Sequence, residues 1–226
     1  MITLEGVHVR YGGRQVLRGV DLTLTERRVA VIGSNGSGKS TLARLLNGLT
    51  EPSSGRILVD GLDVRRETKK VRELVGFVFQ NPDAQILMPT VAEDVAFSLK
   101  HRGLPAREVD RRVARVLGDY GLSGLRDHPA HLLSGGEKQL LALAAVMVAE
   151  PRYIVFDEPT TMLDLRNKRR FAGLVRSLEQ YVIMVSHDLD LLDGFERVIL
   201  LHEGEVAADG PPGDAVRAYL ELMAAC

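Results

Sequence analysis

The chain has 226 residues, 45% of them hydrophobic, with 29 basic and 30 acidic side chains. That length and balance describe a globular protein with ample material for a core, and the near-cancelling charge removes any global electrostatic argument for a nucleic-acid partner. The longest apolar run, residues 140–149, is about half the ~20 residues of a spanning helix, so any membrane association is expected to go through a partner.

Met1 leads directly into the strand-like Ile2, Thr3 and Leu4, without a charged-then-apolar leader. The single cysteine, Cys226, excludes an intrachain disulfide and fits a reducing compartment. Residues 2–29 read as β-rich, with Tyr11, Gly12 and Gly13 as a turn. An apolar strand at Val29, Ala30, Val31 and Ile32 then runs into Gly33-Ser34-Asn35-Gly36-Ser37-Gly38-Lys39-Ser40, followed by Thr41 and a helical pattern at Leu42, Leu45, Leu46 and Leu49. Strand, glycine loop and helix form the context a phosphate-binding loop requires. The glycines let backbone N–H groups curl around a phosphate chain, and the helix N-terminus adds a favourable dipole. Lys39 is then expected to reach the β- and γ-phosphates, and Ser40 to hold Mg²⁺.

Further strands are expected at residues 57–60 and 75–79, the second delivering Gln80. From about residue 82 to 149 the pattern turns helical. Pro105 opens a stretch in which Val109, Val113, Val116, Leu117 and Tyr120 share a face, interleaved with Arg107, Arg111, Arg112 and Arg115, which read as a solvated face. Residues 133–137, Leu-Ser-Gly-Gly-Glu, head an apolar helix. Exposed N–H groups at Ser134, Gly135 and Gly136 suit an anion. One nucleotide site needs only the first glycine loop, so a phosphate for the second points to another copy of the chain.

The apolar strand 153–156 ends in Asp157, Glu158 and Pro159. Open α/β sheets place their ligand chemistry at such strand ends. Asp157 is expected to bind Mg²⁺, directly or through water, and Glu158 to polarise the attacking water. A strand at 182–185 leads to Ser186, His187 and Asp188. An isolated histidine there is more often a surface or capping residue, but at a third strand end His187 can contact the γ-phosphate and hold the water. The other histidines read as surface or core. A strand at 198–201, a turn at 203–205 and a last helix from Pro212 complete the chain, with no internal repeat.

In this order the motifs make the whole chain resemble the ATPase subunit of ATP-binding-cassette (ABC) transporters. The resemblance implies an α/β fold: a P-loop NTPase with a RecA-like core, an N-terminal antiparallel β subdomain and a helical subdomain at about 82–149 inserted in the core. All of residues 1–226 then form one ABC ATPase domain. It implies ATP and Mg²⁺ as cofactors, with Lys39, Glu158 and His187 catalytic and Ser40, Gln80 and Asp157 at the metal. Tyr11 resembles the aromatic that stacks on adenine, and Gln80 the glutamine between the subdomains. The run 133–137 resembles the family signature, whose Ser134, Gly135 and Gly136 meet the γ-phosphate held by an opposing subunit. Thr161-Met162-Leu163-Asp164 resembles the loop that crosses that interface, adding Asp164 to the shared site. The implied partners are a second copy, in a head-to-tail homodimer, and integral membrane subunits: a transmembrane coupling protein and a substrate-binding protein. The implied location is peripheral, on the cytoplasmic face of the inner membrane.

Three positions depart from the family pattern: Glu137 where glutamine is more common, Leu140 where arginine is common, and Met162 in place of a small residue. An acid near a phosphate weakens binding, but Glu137 lies past the glycines and is expected to point away from them. Residues 79–97, FQNPDAQILMPTVAEDVAF, resemble ATPases of energy-coupling-factor importers, above all those of biotin transporters, with the cobalt and nickel ATPases next. Within that segment Ile86, Leu87 and Met88 are either a docking surface for a membrane subunit or packing between subdomains. Soluble ABC ATPases of DNA repair and translation form the alternative class. The compact helical segment between the two glycine motifs and the single cassette argue against it.

Overall fold

The structure is a computed structural model that describes residues 1–100 and 102–224. His101 and Cys226, and with Cys226 the expectation about disulfides, lie outside the described residues. Two long N-terminal strands, β1 (Ile2–Tyr11) and β2 (Arg14–Leu24), form an antiparallel hairpin across the turn at Gly12 and Gly13. With β4 (Ser54–Val59) and the short β5 (Leu62–Asp63) they make a four-stranded sheet in the order β2-β1-β4-β5.

A second sheet of six strands has the order β10-β9-β3-β8-β7-β6. Its members are β3 (Arg28–Ile32), β6 (Val75–Val78), β7 (Tyr153–Asp157), β8 (Tyr181–Val185), β9 (Arg197–His202) and β10 (Glu205–Gly210). All neighbours run parallel except β10, which returns antiparallel on β9. The continuous apolar runs seen in the sequence are strands covered on both faces, and their side chains divide with the two-residue period of a strand. Val29, Val31, Tyr153, Val155, Ile183 and Val185 enter a core shared with the four-stranded sheet, α1 (Lys39–Leu45) and α2 (Thr68–Leu74). Ala30, Ile32, Ile154, Phe156, Val182 and Met184 enter the opposite core.

That second core is closed by α3 (Val91–Phe97), α4 (Ala106–Asp119), α5 (Gly135–Met147), α6 (Leu165–Ser177) and α7 (Pro212–Ala224). Helix α4 buries Val113, Val116 and Leu117. Its arginines face outward in ion pairs, Arg111 and Arg112 with Glu108, and Arg112 and Arg115 with Glu150. Leu140 is buried on α5 as part of this core, a place where an arginine would need a partner.

The segment before α3 is held by one buried carboxylate. Asp94 Oδ1 accepts from the backbone N–H groups of Leu87 (2.8 Å) and Met88 (3.0 Å). Ile86 packs on the core, in line with the packing role, whereas Leu87 is 66% exposed. Asp94→Ala strands two donors and is expected to cost about 2–4 kcal/mol in denaturant unfolding. Asp94→Asn keeps an acceptor. Burial raises the Asp94 pKa, so the charged form is the disfavoured one, and the native carboxyl contributes most below its unfolded pKa and loses that contribution as pH rises through its folded value. The Asn variant should therefore match the parent near pH 4 and gain on it toward pH 8.

Candidate functional site

Strands β3, β8 and β7 are neighbours and end together, so three loops emerge at one edge. The first, residues 33–38, turns into α1 at Gly38. Its φ of 105° lies in the left-handed region, and a Cβ there would stand 2.7 Å from Leu17 Cδ2 and 2.9 Å from the Val16 carbonyl. Only glycine meets both demands, and the loop consequently lies flat against β2. Lys39, 4% exposed, donates from Nζ to the carbonyls of Gly33 and Ser34, each at 2.9 Å. Burial lowers its pKa while Glu158 and Asp157 oppose the shift.

Asp157 ends β7 almost fully buried and accepts from Ser40 Oγ at 2.7 Å. Arg44, one turn along α1, brings Nη2 to 3.6 Å from the other carboxylate oxygen. Burial pushes the Asp157 pKa up, and the Ser40 hydrogen bond and Arg44 counter it. The next residue, Glu158, has φ of 50°, a conformation that costs a non-glycine residue about 1–3 kcal/mol. Its N–H donates to Val185 O at 3.0 Å, fixing the turn to the end of β8. Its carboxylate Oε2 collects Gln80 Nε2 at 3.5 Å, Thr161 Oγ1 at 3.2 Å and His187 Nδ1 at 3.1 Å. Beside His187, Asp188 is paired with Lys168 of α6 at 2.7 Å, which ties the histidine loop to the helix after Asp164.

These groups border a cavity of about 520 Å³. Tyr11, Asn35, Gly36, Gly38, Lys39 and Ser40 line it, together with Thr41, Gln80 and Glu158. Gly33, Ser34 and Ser37 complete the loop, and Asp157 and His187 stand behind Ser40 and Glu158. Sequence reasoning missed Arg14 and Val16 in the lining, Arg44 against Asp157 and Thr161 against Glu158. Arg44 was readable, since it follows Ser40 at helical i, i+4 spacing. Among the described residues no group of three His, Cys, Asp or Glu side chains is placed to hold a metal. Ser40 and Asp157 do offer adjacent hard oxygen donors, the kind Mg²⁺ takes when phosphate oxygens and water complete its shell.

Ser134, Gly135, Gly136 and Asp164 are gathered elsewhere, and none of them lines this cavity. Ser134 caps α5 and Asp164 caps α6, accepting from Asn167 N at 2.8 Å. The two helix starts touch: a Cβ on Gly136 would lie 3.1 Å from the Asn167 carboxamide. Met162 is 63% exposed on the loop between the two clusters. Glu137 does not point away from the glycines. It turns back, and Oε2 accepts from Ser134 N at 2.8 Å and from Ser134 Oγ at 2.6 Å, a capping box.

Comparison with known proteins gives concordant matches. The family described as "ABC transporter" matches residues 17–161. The biotin transport ATP-binding protein BioM of Rhizobium etli is 45% identical, over 99% of both chains. The energy-coupling factor transporter ATP-binding protein EcfA1 of Symbiobacterium thermophilum is 43% identical, over 93% of this chain and 79% of its own. Among solved structures, cbiO1 of Clostridium perfringens, part of the ABC transporter complex cbiONQ, superposes with a TM-score of 0.86 at 35% identity, over 99% of this chain and 92% of that one. The cassette MJ0796, solved as a dimer in a post-hydrolysis state with ADP and Pi, superposes with a TM-score of 0.82 at 29% identity, over 94% and 99%.

Proposed function

We propose that this chain, which belongs to the ABC transporter family and is one of its ATPases, powers an importer of the energy-coupling-factor type, with biotin as the cargo. The hydrolytic part of the reading rests on one observation: Glu158 Oε2 is shared by Gln80, Thr161 and His187 beside a loop that carries Lys39 and Ser40. Tyr11 would stack on adenine at the mouth of the cavity, and the backbone of residues 33–41 would wrap the phosphates. Lys39 would leave its two loop carbonyls for the β- and γ-phosphates. Ser40, Asp157 and Gln80 would hold Mg²⁺, which neutralises charge on those phosphates. Glu158 would take a proton from the attacking water while His187 contacts the γ-phosphate.

The second half of each site would come from another copy. Ser134 and Gly136 do not line the cavity that holds Lys39, and a head-to-tail homodimer would bring them onto the partner's γ-phosphate, with Asp164 at the seam. Both halves are present in one chain, so two complete MgATP sites would result. Closure on ATP and opening after hydrolysis would do the work on the membrane subunits. No helix among the described residues is long and apolar enough to cross a membrane. A groove of about 330 Å³, lined by Leu49, Arg72, Phe77, Gln85 and Arg102, is where we place the coupling protein. Gln85 links it to the site's neighbourhood, accepting from Phe79 N and donating to Ala142 O. The subunit would thus sit peripherally on the cytoplasmic face of the membrane.

Purification from membranes with native lipids, followed by biotin uptake in vesicles, tests the reading. The expected result is a small integral partner and ATP-dependent biotin uptake. Uptake of cobalt or nickel instead would overturn the cargo, and recovery of the chain without any membrane partner would overturn transport.

A further inference from the structure

Glu137 holds the only proton that the Ser134 hydroxyl has to give. Its Oε2 accepts that proton at 2.6 Å and the Ser134 N–H at 2.8 Å. An ionised carboxylate can only accept, and so can an ionised phosphate oxygen. A phosphate brought to Ser134 would therefore need the same hydrogen, and it would carry the same sign of charge as Glu137. The Ser134 hydrogen bonds keep the Glu137 carboxyl ionised by lowering its pKa. Glutamine at this position would behave differently. Its amide oxygen can still accept the Ser134 N–H, and its NH₂ can donate to Ser134 Oγ, leaving the hydroxyl proton free for an anion.

We infer that Glu137 is an internal competitor for the phosphate: it occupies Ser134 in the separated chain, must surrender the hydroxyl when a second copy presents ATP, and recaptures it afterwards. This rests on the proposed head-to-tail sandwich. Its effect is to weaken ATP-driven closure and to favour reopening, a setting of the cycle that belongs to this chain's departure from glutamine.

The test measures ATP-driven dimerisation by analytical ultracentrifugation in the non-hydrolysing Glu158→Gln background, with and without Glu137→Gln. Glu137→Gln should lower the ATP concentration for half-maximal dimer roughly tenfold, about the upper worth of one net hydrogen bond. The dimer should also persist longer after ATP is diluted. Nucleotide affinity of the monomer, read with a fluorescent ATP analogue at low protein concentration, should not move. Because glutamine also supports a capping box, the melting temperature should hold, and the variant remains interpretable. Adding Ser134→Ala should abolish the gain. The inference is overturned if Glu137→Gln dimerises at the parent's ATP concentration or higher, or if its gain survives without the Ser134 hydroxyl. If Ser134→Arg, which fills the start of α5, dimerises with ATP as the parent does, the sandwich reading itself fails, a separate result.

Discussion

Glu158→Gln is expected to bind ATP as the parent does and to hydrolyse it roughly 10²- to 10⁴-fold more slowly, the range for loss of a general base. The substitution is close to isosteric, and the surroundings of residue 158 accept an amide. Gln80 Nε2 and Thr161 Oγ1 are donors to Oε2 and would find the amide oxygen in its place. The backbone tie to Val185 O is untouched, and glutamine meets the same positive φ that glutamate already tolerates. What disappears is the carboxylate oxygen that would take the water's proton in the proposed reaction. ATP binding rests on the loop around Lys39 and on Tyr11, and residue 158, which borders the same cavity, makes no hydrogen bond to either. Equilibrium nucleotide binding and phosphate release, measured on the same preparation, separate the two effects. Turnover near the parent's would remove Glu158 from the role of base, and lost ATP binding would show that its carboxylate instead holds the cavity open.

What the sequence made legible was whatever the chain connects locally. Strand, glycine loop and helix adjoin in sequence, so Gly33 to Ser40 could be placed before any fold was known, and Asp157, Glu158 and His187 followed from the ends of apolar runs. The parallel order β3-β8-β7 then converts three separate strand ends into one edge. Two helices escaped notice for a physical reason. Helix α2 buries only Val71 and carries too little apolar period to be read, whereas α6 sets Phe171, Ala172, Leu174 and Val175 toward the core behind the polar run 166–170, whose charges mask that period. The positive φ of Glu158 and its bond to Thr161 depend on how the turn closes against β8, which no local pattern encodes. The direction of Glu137, by contrast, was written in the sequence. Ser134 and Glu137 have the spacing of a capping box, as do Thr90 and Glu93 at the start of α3, and both boxes form. The same five residues, 133–137, carry both a helix-start signal in Ser134 and Glu137 and an anion-site signal in the glycines between them.

Mixing two inactive variants gives the most direct view of whether each site is built from two copies. Lys39→Ala should remove the cation on the β- and γ-phosphates, and Ser134→Arg should fill the anion-facing start of α5, each cutting turnover by about 10²-fold or more when alone. Neither change threatens the core: Lys39 bonds only to loop carbonyls, and the loss of the Ser134 cap costs about 1 kcal/mol. In a head-to-tail pair, the Lys39→Ala copy still offers an intact Ser134, and the Ser134→Arg copy an intact Lys39. Their mixed dimer therefore has one site with both defects and one with none. Random pairing makes about half the dimers mixed, so turnover should climb to as much as roughly a quarter of the parent's. Sites built within single chains predict no such rise, because every copy then carries its own defect. Turnover of the mixture equal to the mean of the two variants would dismantle the shared site. A rise that follows the proportion of mixed dimers would place Ser134 of one copy at the phosphate held by Lys39 of the other.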